Sequence, residues 1–195
     1  MTKESPLDTA LAGLAEVRAR YWQHRRTDPW RRDEDLEQRL ASAWASVSDL
    51  VDGEQVVPAV GAPAWSVGSP SPVVVSDSWR TFVAYDKDDG ERCMLTFEHV
   101  DSVLFGGSND EALAGHRLWT RGLKYYEFQE VLNSNWIAQR EAENSVHDYH
   151  QPGWHRRQRH FVCTFHDETF ECLAGTFVVD KHDGAPPAAV AALAM

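Results

Sequence analysis

Cysteine and long apolar segments are both scarce in this chain. It contains three cysteines in 195 residues, and no apolar run approaches the roughly 20 residues of a membrane-spanning helix. The polar start from Met1 to Ser5 does not resemble a secretory signal. Because disulfide frameworks accompany oxidising compartments, these features predict a cytoplasmic protein with no membrane segment.

Basic residues are also outnumbered. The chain has 19 Lys and Arg against 30 Asp and Glu, which gives a formal net charge of -11. Such a balance argues against general nucleic-acid or membrane binding and favours a partner with a basic surface. One basic run remains, formed by Arg156, Arg157 and Arg159. It is predicted either to contact an acidic partner or to lie on a solvated strand edge.

Motifs that specify a reaction are missing as well. The sequence has no Gly-x-Ser-x-Gly nucleophile turn, no phosphate-binding glycine loop, no dinucleotide fingerprint and no paired Cys-x-x-Cys zinc motif. Motif matching therefore names neither a reaction nor a cofactor.

The most informative pattern that is present is a pair of short alternating segments, 161–166 and 169–174, joined through Asp167 and Glu168. They predict a β-hairpin in which Phe165 pairs with Phe170 and Cys163 pairs with Cys172. The face that carries these phenylalanines and cysteines is predicted to be core. Free cysteine behaves as a small hydrophobic residue, so we expect buried thiols there rather than a disulfide.

The remaining pattern predicts an α+β fold: an N-terminal helical hairpin followed by a curved, mostly antiparallel sheet of about five to six strands with one packed helix. The predicted domains are a helical hairpin (1–53), a Pro/Gly-rich linker (54–72), a sheet domain (73–182) and a flexible tail (183–195). Within them, helices are expected over about 6–25, 33–50 and 135–146, and strands over 79–86, 91–98, 100–105 and 125–132. Ser5 is predicted to cap the first helix, and Asn133 and Ser134 are predicted to cap the third. The apolar stripe of the helical hairpin needs a partner, which is either the rest of this chain or another protein. Homo-oligomerisation through these helices is one such arrangement.

Histidines concentrate late in the chain and suggest two kinds of site. His147, His150 and His160 are candidate metal ligands, because imidazoles bind zinc, iron and copper. His116, His166 and Glu171 are candidate catalytic residues for acid–base chemistry if the fold brings the loop over 106–123 near the 147–171 region. The alternative for each histidine is a structural role at a helix end, a strand start or a turn.

Three functions follow from these features. The leading hypothesis is an acidic binding or accessory protein that contacts a protein partner, with contacts expected from two tryptophans and the basic run: Trp30, Trp65, Arg156, Arg157 and Arg159. The first alternative is a small histidine-dependent enzyme, with or without a metal. The second alternative is a domain that binds an apolar small ligand, favoured by the many aromatic residues, among them eight tryptophans.

Overall fold

In the computed structural model, the described residues are 5–28, 31–61, 72–77, 79–86, 92–107 and 110–182. They form an α+β fold with antiparallel sheets, as predicted. The helices are α1 (Pro6–Thr27), α2 (Glu34–Ser48) and α3 (Asn135–Asn144). The strands are β1 (Gln55–Pro58), β2 (Val73–Ser76), β3 (Arg80–Asp86), β4 (Arg92–Glu98), β5 (Ser102–Gly106), β6 (Phe128–Leu132), β7 (Arg159–Thr164), β8 (Thr169–Ala174) and β9 (Thr176–His182). Short 3-10 helices cover Asp110–Gly115, Trp119–Arg121 and Trp154–Arg156. No helix among the described residues is long and apolar enough to cross a membrane.

The helix starts follow directly from local chemistry. Ser5 caps α1 by accepting a hydrogen bond from the Asp8 amide at 3.1 Å, and the Asp8 carboxylate accepts from the Ser5 amide at 3.2 Å. Pro6 occupies the first turn, where its missing N–H costs nothing. Asp33 caps α2 in the same way, accepting from the Leu36 amide at 3.0 Å.

The strands form two sheets rather than the single sheet that was expected. A five-stranded sheet has the order β1-β6-β7-β8-β5, and a four-stranded sheet has the order β2-β3-β4-β9. Three of these strands, β1, β2 and β9, were not predicted. Strand β1 lies inside the segment predicted as a linker, and its terminal Pro58 is tolerated because β1 is an edge strand. The rest of that segment includes 62–71, outside the described residues.

The terminal hairpin forms, but its predicted register is wrong. Cys163 pairs with Phe170, and Phe161 pairs with Cys172. The connection consists of four residues, 165–168, closed by a hydrogen bond from the Phe165 amide to the Glu168 carbonyl at 2.9 Å. This turn lies earlier than expected and shifts the pairing by two residues. A shift of two preserves the side-chain faces, so the predicted core face is correct.

That face forms the main core with the four-stranded sheet. The ring centroid of Phe97 in β4 lies 5.3–6.3 Å from the ring centroids of four phenylalanines in the two sheets: Phe128, Phe161, Phe170 and Phe177. All three cysteines are free and buried, as expected. Burial raises the pKa values of Cys163 and Cys172 well above their usual range, so both remain neutral thiols.

The N-terminal helices pack on the five-stranded sheet of the same chain. Their apolar stripe, which includes Leu14, Tyr21, Leu40 and Val47, shares one buried cluster with Val57 of β1 and Leu132 of β6. The helices thus cover the part of the inner sheet face that the four-stranded sheet leaves open. The opposite, outer face is covered by segment 110–123, which contains the first two 3-10 helices. Its Leu113, Leu118 and Leu123 pack against Val131 and Val162 of the sheet.

Candidate functional site

Three charged side chains meet on the inner face of the five-stranded sheet. They lie where α1, rather than the four-stranded sheet, covers that face. Glu130 of β6 accepts from Arg18 of α1 at 3.0 Å and from Arg159 of β7 at 2.6 Å. Arg18 also donates to the Gln158 carbonyl at 3.1 Å. All three residues of this inner cluster are buried, with at most 7 % of their surface exposed. Buried charges require such pairing, since desolvation is costly.

The inner cluster carries one unbalanced positive charge. Burial by itself would raise the pKa of Glu130, but the two guanidinium groups outweigh burial and hold that pKa below its usual range. Burial, together with the charge of Arg159, lowers the pKa of Arg18 to about 10 despite the attraction of Glu130. Arg18 therefore remains charged at neutral pH, and two guanidinium groups face a single carboxylate.

A cavity of about 390 Å³ opens beside this cluster, between the three helices and the end of β6. Its apolar lining comes from Leu14, Trp44, Val47, Val131, Leu132, Ile137 and Ala138. Its polar lining includes the inner cluster together with Ser134, Glu141, His155 and Gln158. Three buried polar atoms of lining residues, His155 Nδ1, Gln158 Oε1 and Arg159 Nε, have no hydrogen-bond partner among the described residues, although His155 Nδ1 lies 3.3 Å from Glu141 Oε1. Buried polar atoms without a partner are rare in native interiors, which makes Gln158 Oε1 and Arg159 Nε candidate contacts for a bound molecule.

A second polar group, the outer network, lies on the opposite sheet face. The Ser134 Oγ lies 2.8 Å from His160 Nδ1, and His160 Nε2 lies 2.8 Å from Glu171 Oε2. Arg117 donates to Glu171 Oε2 at 2.5 Å, and His116 Nε2 lies 3.3 Å from Glu171 Oε1. His160 is completely buried.

The charge states in the outer network assign its protons. Burial would raise the pKa of Glu171, but hydrogen bonds from His116 and His160 and the charge of Arg117 lower it to about 2. Burial lowers the pKa of His160, although its bond to Glu171 opposes that effect. An ionised carboxylate only accepts, so His160 Nε2 carries the proton. His160 Nδ1 is then the acceptor for the Ser134 hydroxyl.

Local structure positions Ser134 at a sharp strand-to-helix turn. Strand β6 ends at Leu132, Asn133 takes a left-handed conformation at φ 48°, and Ser134 caps α3 by accepting from the Ile137 amide at 3.2 Å. The Asn133 side chain is tied to the end of α2, accepting from the Ser48 hydroxyl at 2.9 Å and donating to the Val51 carbonyl at 3.2 Å. The serine that caps α3 is thereby held against the cavity.

The outer network predicts a specific acid sensitivity. Glu171 has a folded-state pKa below its usual value of 4.5, so its contribution to stability is complete above about pH 4.5 and is lost as pH falls towards 2. His160, whose folded-state pKa lies below 6.5, adds a loss as pH falls through 6.5, because only the unfolded chain then takes up a proton. We expect the free energy of unfolding, measured by urea titration, to fall by at least about 1 kcal/mol between pH 7 and pH 4. Glu171→Gln should flatten the curve below pH 5; parallel curves for the two proteins would contradict this assignment.

The structure brings together two of the three predicted acid–base residues. His116 and Glu171 are in contact, whereas His166 lies at the exposed hairpin tip, where its Nδ1 is 2.9 Å from Asp167. His160, predicted as a metal ligand, belongs instead to this network.

The other histidines of the proposed metal set lie elsewhere. His150 Nε2 and His155 Nδ1 each lie 3.3 Å from Glu141 Oε1. His147 is exposed. Glu141 further accepts from the Gly153 amide at 3.1 Å, so its oxygens serve to hold the 150–155 turn against α3. Among the residues that the structure describes, no group of three or more His, Cys, Asp or Glu side chains is arranged to hold a metal ion.

The structure describes three of the five residues that were predicted to contact a partner. The other two, Trp30 and Trp65, lie outside the described residues. Arg157 is buried and bonds Glu37 at 3.0 Å, and Arg159 is buried in the inner cluster. These two arginines do not form the exposed basic surface expected of a site for an acidic partner, because each is ion-paired with a carboxylate of this chain. Arg156 is half-buried.

Two functional candidates were missed in the sequence, Glu130 and Ser134. A signal for Glu130 was available, because strand alternation places it on the same face as Phe128 and Leu132, where an acid needs a buried partner. Ser134 was recognised only as a helix cap. Its contact with His160 spans 26 positions of sequence, and local pattern carries no trace of it.

Comparison with known proteins adds no identification to this geometry. No protein-family model matches the chain, and neither a curated protein nor a solved structure matches it.

Proposed function

We propose that this protein binds a small amphipathic acid, with its apolar body in the cavity beside the inner cluster and its anionic group near Arg159. The observation that carries this proposal is the pair of buried atoms without partners, Arg159 Nε and Gln158 Oε1, on residues that line an otherwise apolar cavity. A carboxylate with one bound water offers an acceptor for Arg159 Nε and, through the water, a donor for Gln158 Oε1.

Charge supports an anion in particular. Arg18 and Arg159 face a single carboxylate, Glu130, so the inner cluster has a net positive charge in a buried setting. A ligand carboxylate would balance that charge and form charge-assisted hydrogen bonds, which are stronger than neutral ones. A cationic group beside Arg159 would instead add to the excess. Glu141, the other carboxylate of the cavity lining, is already engaged by the Gly153 amide and by His150 and His155.

Size and lining support an apolar body. The cavity volume of about 390 Å³ falls in the range of roughly 300–1,000 Å³ that is typical of small-molecule sites. Aliphatic and aromatic side chains such as Trp44, Val47 and Ile137 line it. A short alkyl chain or ring placed there removes apolar surface from water on both partners.

The packing of the helices removes one support for a macromolecular partner. The apolar stripe of the helical hairpin was expected to need either the rest of this chain or another protein, and it packs against Val57 and Leu132 of this chain. The small-ligand alternative has gained a cavity with specific polar groups. It is therefore the function that we favour.

Decanoate provides the test. Titration by calorimetry, with tryptophan fluorescence as a second signal from Trp44, should give saturable binding of decanoate at one site. Uncharged 1-decanol should bind at least about tenfold more weakly, the effect of losing roughly 1.4 kcal/mol of charge-assisted interaction. Equal affinity for the acid and the alcohol would contradict the proposed role of the inner cluster.

Two substitutions locate the site. Arg159→Met leaves Glu130 paired with Arg18 and should weaken decanoate binding about tenfold or more.

Ala138→Trp places a large ring in the cavity from an exposed position on α3 and should abolish binding. Ala142→Trp is the control, because Ala142 is also exposed on α3 but does not line the cavity, so this variant should bind decanoate normally. Unchanged affinity in Ala138→Trp would exclude this cavity as the site.

A further inference from the structure

The outer network reaches the same cavity through one residue. Ser134 lines the cavity and also bonds His160, which in turn bonds Glu171. A hydroxyl, an imidazole and a carboxylate thus form a chain with two successive separations of 2.8 Å. Nucleophilic serines are activated by this order of groups, whatever the fold that carries them.

We propose that Ser134 is the nucleophile of a hydrolytic site that cleaves carboxylic esters whose acyl part occupies the cavity. The choice of acyl group rests on the proposed function, and the nucleophile itself rests on the outer network. His160 acts as general base and acid. Glu171 is a positioning residue that orients the imidazole.

The reaction balances with water as the only co-reactant. The Ser134 Oγ attacks the ester carbonyl carbon as its proton passes to His160 Nδ1. The bond from that carbon to the alkoxy oxygen then breaks, and the departing alcohol takes the proton from His160. Water attacks the acyl-serine carbon, returning a proton through His160 to Ser134 Oγ and releasing the acid.

The protonation pattern fits these roles. His160 accepts from the Ser134 hydroxyl through Nδ1 because Nε2 donates to ionised Glu171. Glu171 is in turn fixed by Arg117 and by His116, whose Nδ1 accepts from the Leu118 amide at 3.2 Å and whose Nε2 therefore faces Glu171 as a donor. A base that is neutral and held in one tautomer is ready to take a proton.

The position of Ser134 fits as well. It stands at the N-terminus of α3, a helix of ten residues, after a turn in which Asn133 has φ 48°. The partial positive charge of a helix N-terminus stabilises negative charge that develops on a substrate oxygen beside it. A cap alone needs only an acceptor for the Ile137 amide. The hydroxyl proton aimed at a buried imidazole is the additional feature that the capping role leaves unexplained.

Covalent labelling tests the nucleophile directly. An octyl fluorophosphonate should add once to the intact protein, and peptide mapping should place the adduct on Ser134. His160→Gln should label at least about 100-fold more slowly, since general-base assistance contributes roughly that factor or more. Glu171→Gln should also label slowly, and Glu171→Asp should recover part of the rate, which loss of fold stability would not produce. Ser46→Ala, on the exposed face of α2, is the control and should label as the wild type does.

The outcomes separate this inference from the binding proposal. Ser134→Ala should be unlabelled and should not hydrolyse p-nitrophenyl octanoate, yet it should bind decanoate within about threefold of wild type because the inner cluster is intact. Absence of labelling in wild-type protein that binds decanoate would overturn the nucleophile and leave the binding proposal standing. An adduct on a residue other than Ser134, or unchanged hydrolysis in Ser134→Ala, would overturn it equally. Labelling of Ser134 without decanoate binding would contradict the choice of acyl group alone.

Discussion

Replacement of Glu130 by alanine is expected to lower the free energy of unfolding by about 3–5 kcal/mol, since it leaves two buried guanidinium groups without a counter-ion. Arg18 and Arg159 lie 3.0 and 2.6 Å from this carboxylate, and both are buried. The remaining hydrogen bonds of Arg18 go to the Arg156 and Gln158 carbonyls, which are neutral and cannot balance the charge. Urea unfolding followed by circular dichroism provides the measurement.

An exposed ion pair on α1 provides the matched control. Glu16 forms an ion pair with Arg20 at 2.6 Å, the same distance as between Glu130 and Arg159. More than half of each side chain of this pair is exposed. Solvent screens this pair, so Glu16→Ala should change stability by less than about 0.5 kcal/mol. Similar losses for the two variants would show that burial does not determine the role of Glu130.

Gly175→Ala is expected to destabilise the fold by about 3 kcal/mol or more, because the added methyl group collides with a buried ring. Gly175 connects β8 to β9, where the chain passes from one sheet to the other. A Cβ atom there would lie 2.3 Å from two ring carbons of Trp22. Trp22 is 4 % exposed and stacks on His99 with a centroid separation of 4.0 Å, so it has no room to move aside.

Gly13→Ala is the opposite case on the same helix as Trp22. Gly13 lies on the exposed side of α1, and a Cβ atom there meets no heavy atom within 4 Å among the described residues. Alanine restricts the unfolded chain and suits a helix, so this variant should be more stable by about 1 kcal/mol. Urea midpoints for the two variants should therefore move in opposite directions. A Gly175→Ala midpoint equal to that of wild type would show that α1 does not pack tightly at this corner.

Features determined by neighbouring residues were predictable from the sequence. The cap at Ser5, the cap at Ser134 and the alternation of the terminal hairpin each depend on contacts a few positions apart, and each is found. The hairpin register failed because several turn geometries join the same two alternating segments, and periodicity alone does not choose between them. Strand β1 was missed because its proline is acceptable only at a sheet edge, and edge position is a property of the assembled sheet.

By itself, the sequence determined the fold class, the helix starts and which hairpin face enters the main core, because capping, periodicity and hydrophobicity act over short separations. Only the tertiary structure decided which polar groups meet. Arg18 reaches Glu130 across 112 positions, and Ser134 reaches His160 across 26. Such partners are selected by the packing of whole helices and strands, which places their side chains at hydrogen-bond distance and excludes water. The candidate site is a product of that packing, and for this reason its residues had no motif.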